Sequence, residues 1–569
     1  MPFRAPSEEI RFLIENVTGF ARFREASGAE AAEADMAAAI LEEAGKLCDE
    51  VLAPLQRQGD AHPARLENGV VRASPGFADG YRQLAEGGWV GMIADPAFEG
   101  MGLPTTLAMA VHEMMSGACI SLQLNPMLTQ GQIVALQAYA SDELKRLYLP
   151  KLATGEWSGT MNLTEPQAGT DVGALRTRAE PNGDGTYAIT GQKIYITWGD
   201  SDMTDNVVHL VLARLPGAAD GTKGISLFLV PKYIPDETGK PGIRNDLRVV
   251  SLEHKLGLHG SPTAVMEYSG ATGWLVGAEN GGMAAMFTMM NDARLGVAMQ
   301  GIGVAEAAYQ HAAAYAAGRV QGKSQPTGTI VDYPDVRRML AWMRARTTAA
   351  RAIALACATA LDMEQATGDA AWSARAAFLT PIAKAFGSQV GIDVAEEGIQ
   401  IHGGMGVIEE TGATQFLRDV RVTAIYEGTN GIQAIDLVGR KMRDGGEAAY
   451  ALLDEIEADA EAARTSHPDL AELLWEAAEA LHVATDWMVA QGDLDARFAG
   501  SVPYLHAWGL VLGARFHLIA AQTEGEPGPA TALARSFILR QLPEHAGLLA
   551  EATCGQDDLM AVSAEALGL

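Results

Sequence analysis

The chain has few cysteines and no long apolar runs. Its four cysteines stand far apart and form neither a Cys-x-x-Cys pair nor a Cys/His cluster with zinc-ligand spacing: Cys48, Cys119, Cys357 and Cys554. This pattern argues against both a disulfide framework and a structural metal site. No apolar run is long enough to cross a bilayer, and the acidic first residues do not resemble a secretory signal. We therefore expect a cytoplasmic protein with no metal and no membrane insertion.

Basic residues are also scarce, since 42 Lys and Arg face 71 Asp and Glu and the formal net charge is −29. A nucleic-acid surface needs clustered cations to displace counterions from phosphates, so we expect no nucleic-acid partner. Residues 445–569 contain no lysine at all. This acidic segment is either a solvated helical surface or a surface for an oligomer or partner.

The composition changes along the chain and predicts an α+β multidomain protein. Helical periodicity covers residues 30–150, short β-branched runs separated by turns cover 158–275, and helical patterns return from Met283. We predict four parts: an N-terminal helical domain with a leading segment (1–157), a middle β domain (158–280), a helical bundle domain (281–444) and an extra C-terminal helical domain (445–569). The Gly301-Ile302-Gly303 string lies in a helical stretch with no preceding strand, which excludes a Rossmann fingerprint.

A candidate general base is Glu427, within the hexapeptide YEGTNG at residues 426–431. A carboxylate in a glycine-containing turn, behind the glycine-rich residues 400–406, could act beside a bound cofactor. An exposed carboxylate without a role is the alternative for such a motif taken alone. In the β region, Tyr195 and Thr197 are expected on one face of a strand, where they could flank a flat heterocycle. Alternation of Tyr and Thr is also ordinary strand composition.

Seven ordered motifs together resemble the acyl-CoA dehydrogenase family over nearly the whole chain. They are LTEPxAGTD (163–171), GQKxYIT (191–197), KLGxHGSPT (255–263), Arg294, RxQG (319–322), QxHGGxG (400–406) and YEGT (426–429). The resemblance implies an N-terminal helical domain, a middle β domain and a C-terminal four-helix bundle, here followed by the extra helical domain.

The resemblance also implies FAD as cofactor and α,β-dehydrogenation of an acyl-CoA thioester. Leu163, Thr164 and Thr197 would contact the isoalloxazine, and Tyr195 would cover it where the family usually has Trp. The other implied cofactor residues are Thr170 and Arg319 near the pyrophosphate, Gln400 and Gly404 toward the FAD of a neighbouring subunit, and Thr429. For Arg319 the alternative is an exposed arginine at a helix end.

In this family the glutamate of the YEGT motif removes the substrate α-proton while the β-hydride passes to flavin N5. Glu427 takes that role, because Ala293 stands where another branch carries its base. The backbone N–H of the glutamate and a ribityl hydroxyl would polarise the thioester carbonyl. The implied substrate-side residues are Asn291, Arg294, Tyr426 and Gly428, although Asn291 and Arg294 could also be a satisfied pair at a helix end.

The C-terminal extension is typical of a longer branch of the family. That branch includes enzymes that convert 3-(methylthio)propionyl-CoA to 3-(methylthio)acryloyl-CoA during dimethylsulfoniopropionate breakdown, and we expect this substrate. A general medium- or long-chain fatty acyl-CoA dehydrogenase, an acyl-CoA oxidase and a non-catalytic scaffold on the same fold are the alternatives. Electron-transfer flavoprotein is the expected electron acceptor and a homodimer the expected assembly.

Overall fold

The protein, represented by a computed structural model, is described over residues 3–525 and 527–569. The predicted first and last segments include Met1, Pro2 and Glu526, which lie outside the described residues. The backbone divides into two compact units. The first comprises the residues up to Lys46, Thr105–Gly117 and Arg294–Leu569, and the second comprises Leu47–Pro104 and Ala118–Ala293. The predicted order of helices, a β region and further helices is confirmed.

The β region belongs to the second unit and contains the strands of the described chain. They are β1 Arg65–Glu67, β2 Val70–Arg72, β3 Trp157–Asn162, β4 Arg178–Pro181, β5 Tyr187–Thr197, β6 Asn206–Arg214, β7 Ile225–Pro231, β8 Tyr233–Pro235, β9 Pro241–Arg244, β10 Leu247–Leu252 and β11 Thr263–Val276.

Seven of these strands form one sheet in the order β10-β11-β5-β4-β6-β3, and β7 pairs with both β11 and β6. The pairing therefore closes on itself. Strand β7 is buried at every position, whereas β11 mostly alternates between buried and partly exposed residues, as a strand with one face on the core should. The enclosed core includes Ile189, Val211, Phe228, Val230 and Met266.

A β-bulge interrupts the pairing of β5 with β11. Ile196 pairs with Ala264 and Lys193 with Met266, so two residues of β5 face one residue of β11. Bulges of this kind redirect a side chain and leave one residue outside the ladder. One of the two bulged residues, Tyr195, has a left-handed backbone with φ 60°.

Helices account for most of the remaining chain. They are α1 Ser7–Asn16, α2 Phe20–Ser27, α3 Ala34–Leu47, α4 Ala53–Ala61, α5 Phe77–Glu86, α6 Thr105–Tyr139, α7 Asp142–Ala153, α8 Gly282–Gly318, α9 Pro334–Thr367, α10 Ala370–His402, α11 Ala413–Val420, α12 Asn430–Asp436, α13 Glu447–Ala463, α14 Pro468–Ala490, α15 Leu494–Ala499, α16 Ser501–Glu524, α17 Pro529–Arg540, α18 Glu544–Ala552 and α19 Asp557–Met560. Helix α6 is broken at Cys119, whose backbone is extended. None of the helices in the described chain has the length and apolar character that a membrane crossing requires.

Glycines allow helices α8 and α10 to approach closely in the first unit. A methyl group added at Gly301 would lie 2.4 Å from the carbonyl oxygen of Gly387, and one at Gly391 would lie 2.6 Å from that of Gly301. No side chain fits at such distances, so backbone meets backbone here. This approach brings the polar residues of the two helices near the Glu427 loop.

The C-terminal helices pack on the bundle rather than standing apart from it. The ring of Trp508 in α16 meets Phe378 of α10 edge-on, with centroids 5.0 Å apart. A methyl group added at Gly509 would lie 2.3 Å from the ring of Phe386, so α16 and α10 are in close contact there. Nε2 of His517 lies 2.9 Å from the carbonyl oxygen of Ala345 in α9. The predicted extra helical domain is therefore confirmed as an addition to the bundle, with α16 as its buried element.

Candidate active site

Glu427 lies in a short loop between Ala424 and α12, and its backbone is strained. Its φ is 55° and that of Gly428 is 86°. Left-handed backbone is uncommon for a residue with a side chain and persists where the surroundings hold it. A methyl group at Gly428 would lie 2.8 Å from Nε2 of Gln433, so that amide would have to shift, and the positive φ favours glycine here.

Side chains from α10 and α12 hold the two carbonyls of this loop. Nε2 of Gln433 donates to the carbonyl oxygens of Glu427 and Gly428, at 3.2 and 3.3 Å. Nζ of Lys384 donates to the Gly428 carbonyl at 2.8 Å. Thr429 caps α12, because its hydroxyl accepts the Ile432 N–H at 3.2 Å. The loop is therefore anchored immediately after the glutamate.

The Glu427 carboxyl itself has no hydrogen-bond partner among residues 3–525 and 527–569, and it is half-buried. Burial raises its pKa to about 7, although the charges of Arg294 and Lys384 oppose this shift. Burial disfavours the anion because the protein replaces its hydration shell incompletely. A carboxylate that is partly desolvated and lacks protein hydrogen bonds is a stronger base than one in water, and a pKa near 7 suits proton abstraction at neutral pH.

The cation beside this loop is Arg294 of α8. Its Nη1 lies 3.4 Å from Oδ2 of Asp436, and its buried Nε has no hydrogen-bond partner in the described chain. Burial lowers the pKa of Arg294, while Asp436 and Glu427 oppose this effect. A buried donor without an acceptor suits a polar ligand at this place.

Tyr426 directly precedes Glu427 and is held by a hydrogen bond. Its hydroxyl donates to Oε1 of Gln300 in α8. Burial and the neighbouring Glu427 raise the pKa of this phenol, so it stays neutral. The backbone N–H of Glu427 donates to no acceptor within the described chain. It is therefore available to a carbonyl oxygen of a ligand.

Several of the cofactor residues predicted in the β region have polar groups without a hydrogen-bond partner in the described chain. Tyr195 is 61% exposed at its bulge, and the hydroxyls of Thr164, Thr170 and Thr197 have no partner among the described residues. An exposed aromatic ring beside free hydroxyls fits the flat, polar ring of a flavin. Lys193 donates to the carbonyl of Leu163 at 2.9 Å and thereby fixes the backbone at that position.

The remaining predicted residues are exposed or distant in sequence from the Glu427 loop. Arg319 follows the end of α8, Gln400 lies near the end of α10 and Asn291 lies on α8, and all three are exposed. Gly404 faces open space. The structure thus brings together Glu427, Tyr426, Gly428 and Arg294, and the roles expected for the other residues stay predictions.

Sequence reasoning missed the side chains that hold the loop. Lys384, Gln433, Gln300 and Asp436 belong to helices, and no motif singles them out. One signal was available: Lys384 is the single charged residue of the segment 376–391. No group of three or more His, Cys, Asp and Glu residues in the described chain is arranged to hold a metal.

Known proteins match this chain along its length. Family models match as follows: the acyl-CoA dehydrogenase N-terminal domain over residues 34–156, its middle domain over 160–271, its C-terminal domain over 280–442, and the acetyl-CoA dehydrogenase C-terminal-like domain over 452–563. The 3-methylmercaptopropionyl-CoA dehydrogenase of Ruegeria pomeroyi is 46% identical over 543 residues, with 92% of each chain covered.

Two solved structures share the fold. Caenorhabditis elegans ACDH-11 in complex with C11-CoA has a TM-score of 0.78 at 21% identity, covering 95% of this chain and 94% of that chain. An acyl-CoA dehydrogenase complexed with FAD from Bacillus anthracis has a TM-score of 0.75 at 21% identity, covering 100% of this chain and 95% of that one.

Proposed function

Because the chain belongs to the acyl-CoA dehydrogenase family, whose members are FAD-dependent oxidoreductases, we propose that its reaction is the α,β-dehydrogenation of 3-(methylthio)propionyl-CoA. The product is 3-(methylthio)acryloyl-CoA. The choice of this substrate rests on the 46% identity to the Ruegeria pomeroyi enzyme over 92% of both chains.

The observation that carries the chemistry is the state of Glu427: half-buried, without a hydrogen-bond partner in the described chain, and with its pKa raised to about 7 by burial. Such a carboxylate can accept a proton from the α-carbon of a thioester. The free N–H of the same residue would donate to the thioester carbonyl, where negative charge develops as the proton leaves. Arg294 and Lys384 favour the ionised form that starts the reaction.

When bound, FAD supplies the acceptor for the hydride that leaves the β-carbon. The residues proposed to hold it in the β region are Leu163, Thr164, Thr170, Tyr195 and Thr197. The open hydroxyls and the exposed ring described above support this assignment. Arg319, Gln400, Gly404 and Thr429 complete the proposed cofactor set, with Gln400 and Gly404 serving the FAD of a neighbouring subunit.

The substrate-side residues in this proposal are Asn291, Arg294, Tyr426 and Gly428. Tyr426 stays neutral and is tied to Gln300, so it can exclude water from the base without competing for the proton. The unpaired Nε of buried Arg294 is available to a polar group of the substrate.

The proposal also covers the oligomeric state, the electron acceptor and the cellular location. A homodimer, transfer of electrons to electron-transfer flavoprotein and a cytoplasmic location are expected. The packing of α16 against α9 and α10 supports a homodimer, because the added helices cover bundle surface that would otherwise be free to pair with further subunits. We also propose the domain boundaries 1–157, 158–280, 281–444 and 445–569.

The deciding experiment is an anaerobic absorbance scan of the FAD-reconstituted protein before and after each of three acyl-CoAs is added. Fastest and most complete bleaching of the flavin with 3-(methylthio)propionyl-CoA supports the proposal. Fastest bleaching with butyryl-CoA or palmitoyl-CoA moves the function to fatty acyl-CoA oxidation with the same mechanism. Failure to bind FAD at all overturns the enzymatic function. Oxygen uptake without an added acceptor would identify an oxidase.

A further inference from the structure

Lys384 is a fully buried cation at the centre of helix α10. Its side chain has 0% exposure, and its neighbours Ile382, Ala383, Ala385 and Phe386 are buried apolar residues. Burying an ammonium group costs several kcal/mol unless hydrogen bonds and charges compensate. A lysine in such a place is retained for what it contacts.

The hydrogen bonds of Lys384 go to the loop that carries Glu427 and to the first residue of α12. Nζ donates to the carbonyl of Gly428 at 2.8 Å and to Oδ1 of Asn430 at 3.0 Å. The same Oδ1 accepts from the hydroxyl of Ser388 at 3.0 Å, and Nδ2 of Asn430 donates to the carbonyl of Ala385 at 3.3 Å. Helix α10 therefore clamps the loop at two points after the glutamate.

Lys384 hydrogen-bonds to no carboxylate in the described chain, because both of its acceptors are neutral oxygens. Arg294 differs, since its charge faces Asp436. Asp436 also accepts from Arg440, and Lys441 adds another cation behind it. On the loop itself the neighbouring titratable group is the neutral phenol of Tyr426. Of the cations Arg294 and Lys384, which both act on Glu427, Lys384 is thus the one that makes no ion pair with another carboxylate in the described chain.

We propose that Lys384 is a positioning residue for proton abstraction: its side-chain amine fixes the loop that presents Glu427, and in its charged form it favours ionisation of that carboxylate. This inference rests on the function proposed for Glu427. Lys384 touches neither substrate nor cofactor in this role and acts through Glu427 alone.

The ionisation behaviour agrees with this geometry. Burial lowers the pKa of Lys384 to about 7, with the charge of Glu427 opposing the shift. The charge of Lys384 in turn lowers the pKa of Glu427 against the effect of burial. Each group therefore favours the charged form of the other, and removing the lysine should move the glutamate toward its protonated form.

The test compares Lys384→Met, which keeps the volume but removes donor and charge, with Lys384→Gln, which removes the charge and keeps an N–H donor on a shorter side chain. Ser388→Ala is the matched control, because it removes one hydrogen bond to Asn430 without changing any charge. The acidic limb of the pH profile of kcat/KM should rise by about one pH unit in both lysine variants and stay in place in Ser388→Ala. At the wild-type midpoint this shift corresponds to a several-fold loss of activity that is recovered at higher pH.

A second readout does not depend on turnover. Infrared difference titration of the Glu427 carboxyl, with Glu427→Gln as the subtraction reference, reports its pKa directly in each variant. The same upward shift is expected there. An unchanged Glu427 pKa in folded Lys384→Gln would overturn the inference, whatever the result with acyl-CoAs. A shifted pKa in a protein that oxidises no acyl-CoA would keep the link between the two residues and reject the proposed function instead.

Discussion

Two fully buried lysines, one in each unit, each act on a glutamate, and the two pairs behave in opposite ways. In the β region, Nζ of Lys193 contacts Oε1 of Glu165 directly at 2.9 Å. In the helical unit, Lys384 donates to the Gly428 carbonyl at 2.8 Å and leaves the Glu427 carboxyl without a partner in the described chain. Burial alone would raise the pKa of both glutamates.

The charge of Lys193 and the hydrogen bonds to Glu165 decide the difference. Glu165 accepts from Lys193, from the hydroxyl and N–H of Thr177 at 2.6 and 3.0 Å, and from the N–H of Arg176 at 2.7 Å. Although burial opposes them, these donors lower its pKa to about 2, whereas burial raises that of Glu427 to about 7. A carboxylate saturated with donors is a stable anion and a poor base. One that is buried without them is ready to take a proton.

The largest expected effect comes from Glu427→Gln, which removes the base and keeps the shape. Because general-base catalysis contributes roughly 10²–10⁴-fold, kcat/KM for the best acyl-CoA should fall by that factor. Steady-state kinetics with an artificial electron acceptor measures it. Activity within about threefold of wild type would contradict the role of Glu427.

Glu165→Gln should act on stability instead. The change leaves Lys193 buried and unpaired, which costs about 3–5 kcal/mol of unfolding free energy when one partner of a buried pair is removed. Since the pKa of Glu165 in the folded protein is depressed, its contribution is present above about pH 4 and is lost as the pH falls toward 2. Urea unfolding at pH values from 7 down to about 3 measures both predictions.

The two glutamine variants, Glu427→Gln and Glu165→Gln, should also change the stability of the protein in opposite directions. The folded-state pKa of Glu427 is raised, so ionisation of this residue lowers stability as the pH rises through 7. At pH 8, Glu427→Gln should therefore raise the unfolding midpoint, while Glu165→Gln lowers it. If both variants lowered the midpoint equally, the distinction between a base and a structural anion would fail.

A smaller effect is expected for Thr177→Val, which removes one hydroxyl donor from Glu165 and keeps the shape of the side chain. A hydrogen bond to a charged acceptor contributes about 1.5–3 kcal/mol, and the unfolding free energy at pH 7 should fall by that amount. Thr186→Val is the matched control, because its hydroxyl donates to Asp184 at the exposed surface. A loss above about 0.5 kcal/mol in the control would show that burial is not the deciding factor.

The smallest effect is the pH response of the wild-type enzyme. The pKa of Glu427 is about 7, and only the ionised carboxylate can accept the proton. As the pH falls from 8 to 6, kcat/KM should therefore fall about tenfold. Measurement over pH 5.5–9 with a pH-independent acceptor tests this. A flat profile would mean that the carboxylate titrates as it does in water.

Much of the fold was predictable because it depends on local patterns. Helical periodicity and β-branched runs indicated the order of the regions, and short motifs pointed to Glu427, Tyr426, Gly428 and Arg294, which the structure brings together. The β-bulge at Tyr195 was not predictable in this way. It depends on the register between β5 and β11, which is set by the pairing of two distant strands.

The side chains that hold the Glu427 loop could not be predicted from the sequence either. Lys384 and Gln300 reach the Glu427 loop only because α8 and α10 approach at Gly301 and Gly387, and a helical pattern does not specify which neighbour each face meets. The sequence by itself therefore determined the elements, their order and the identity of the candidate base. The tertiary structure decided that the pKa of Glu427 is raised while that of Glu165 is lowered. A pKa depends on the solvent removed from a group and on the donors that reach it, and both are set by residues far away in the chain.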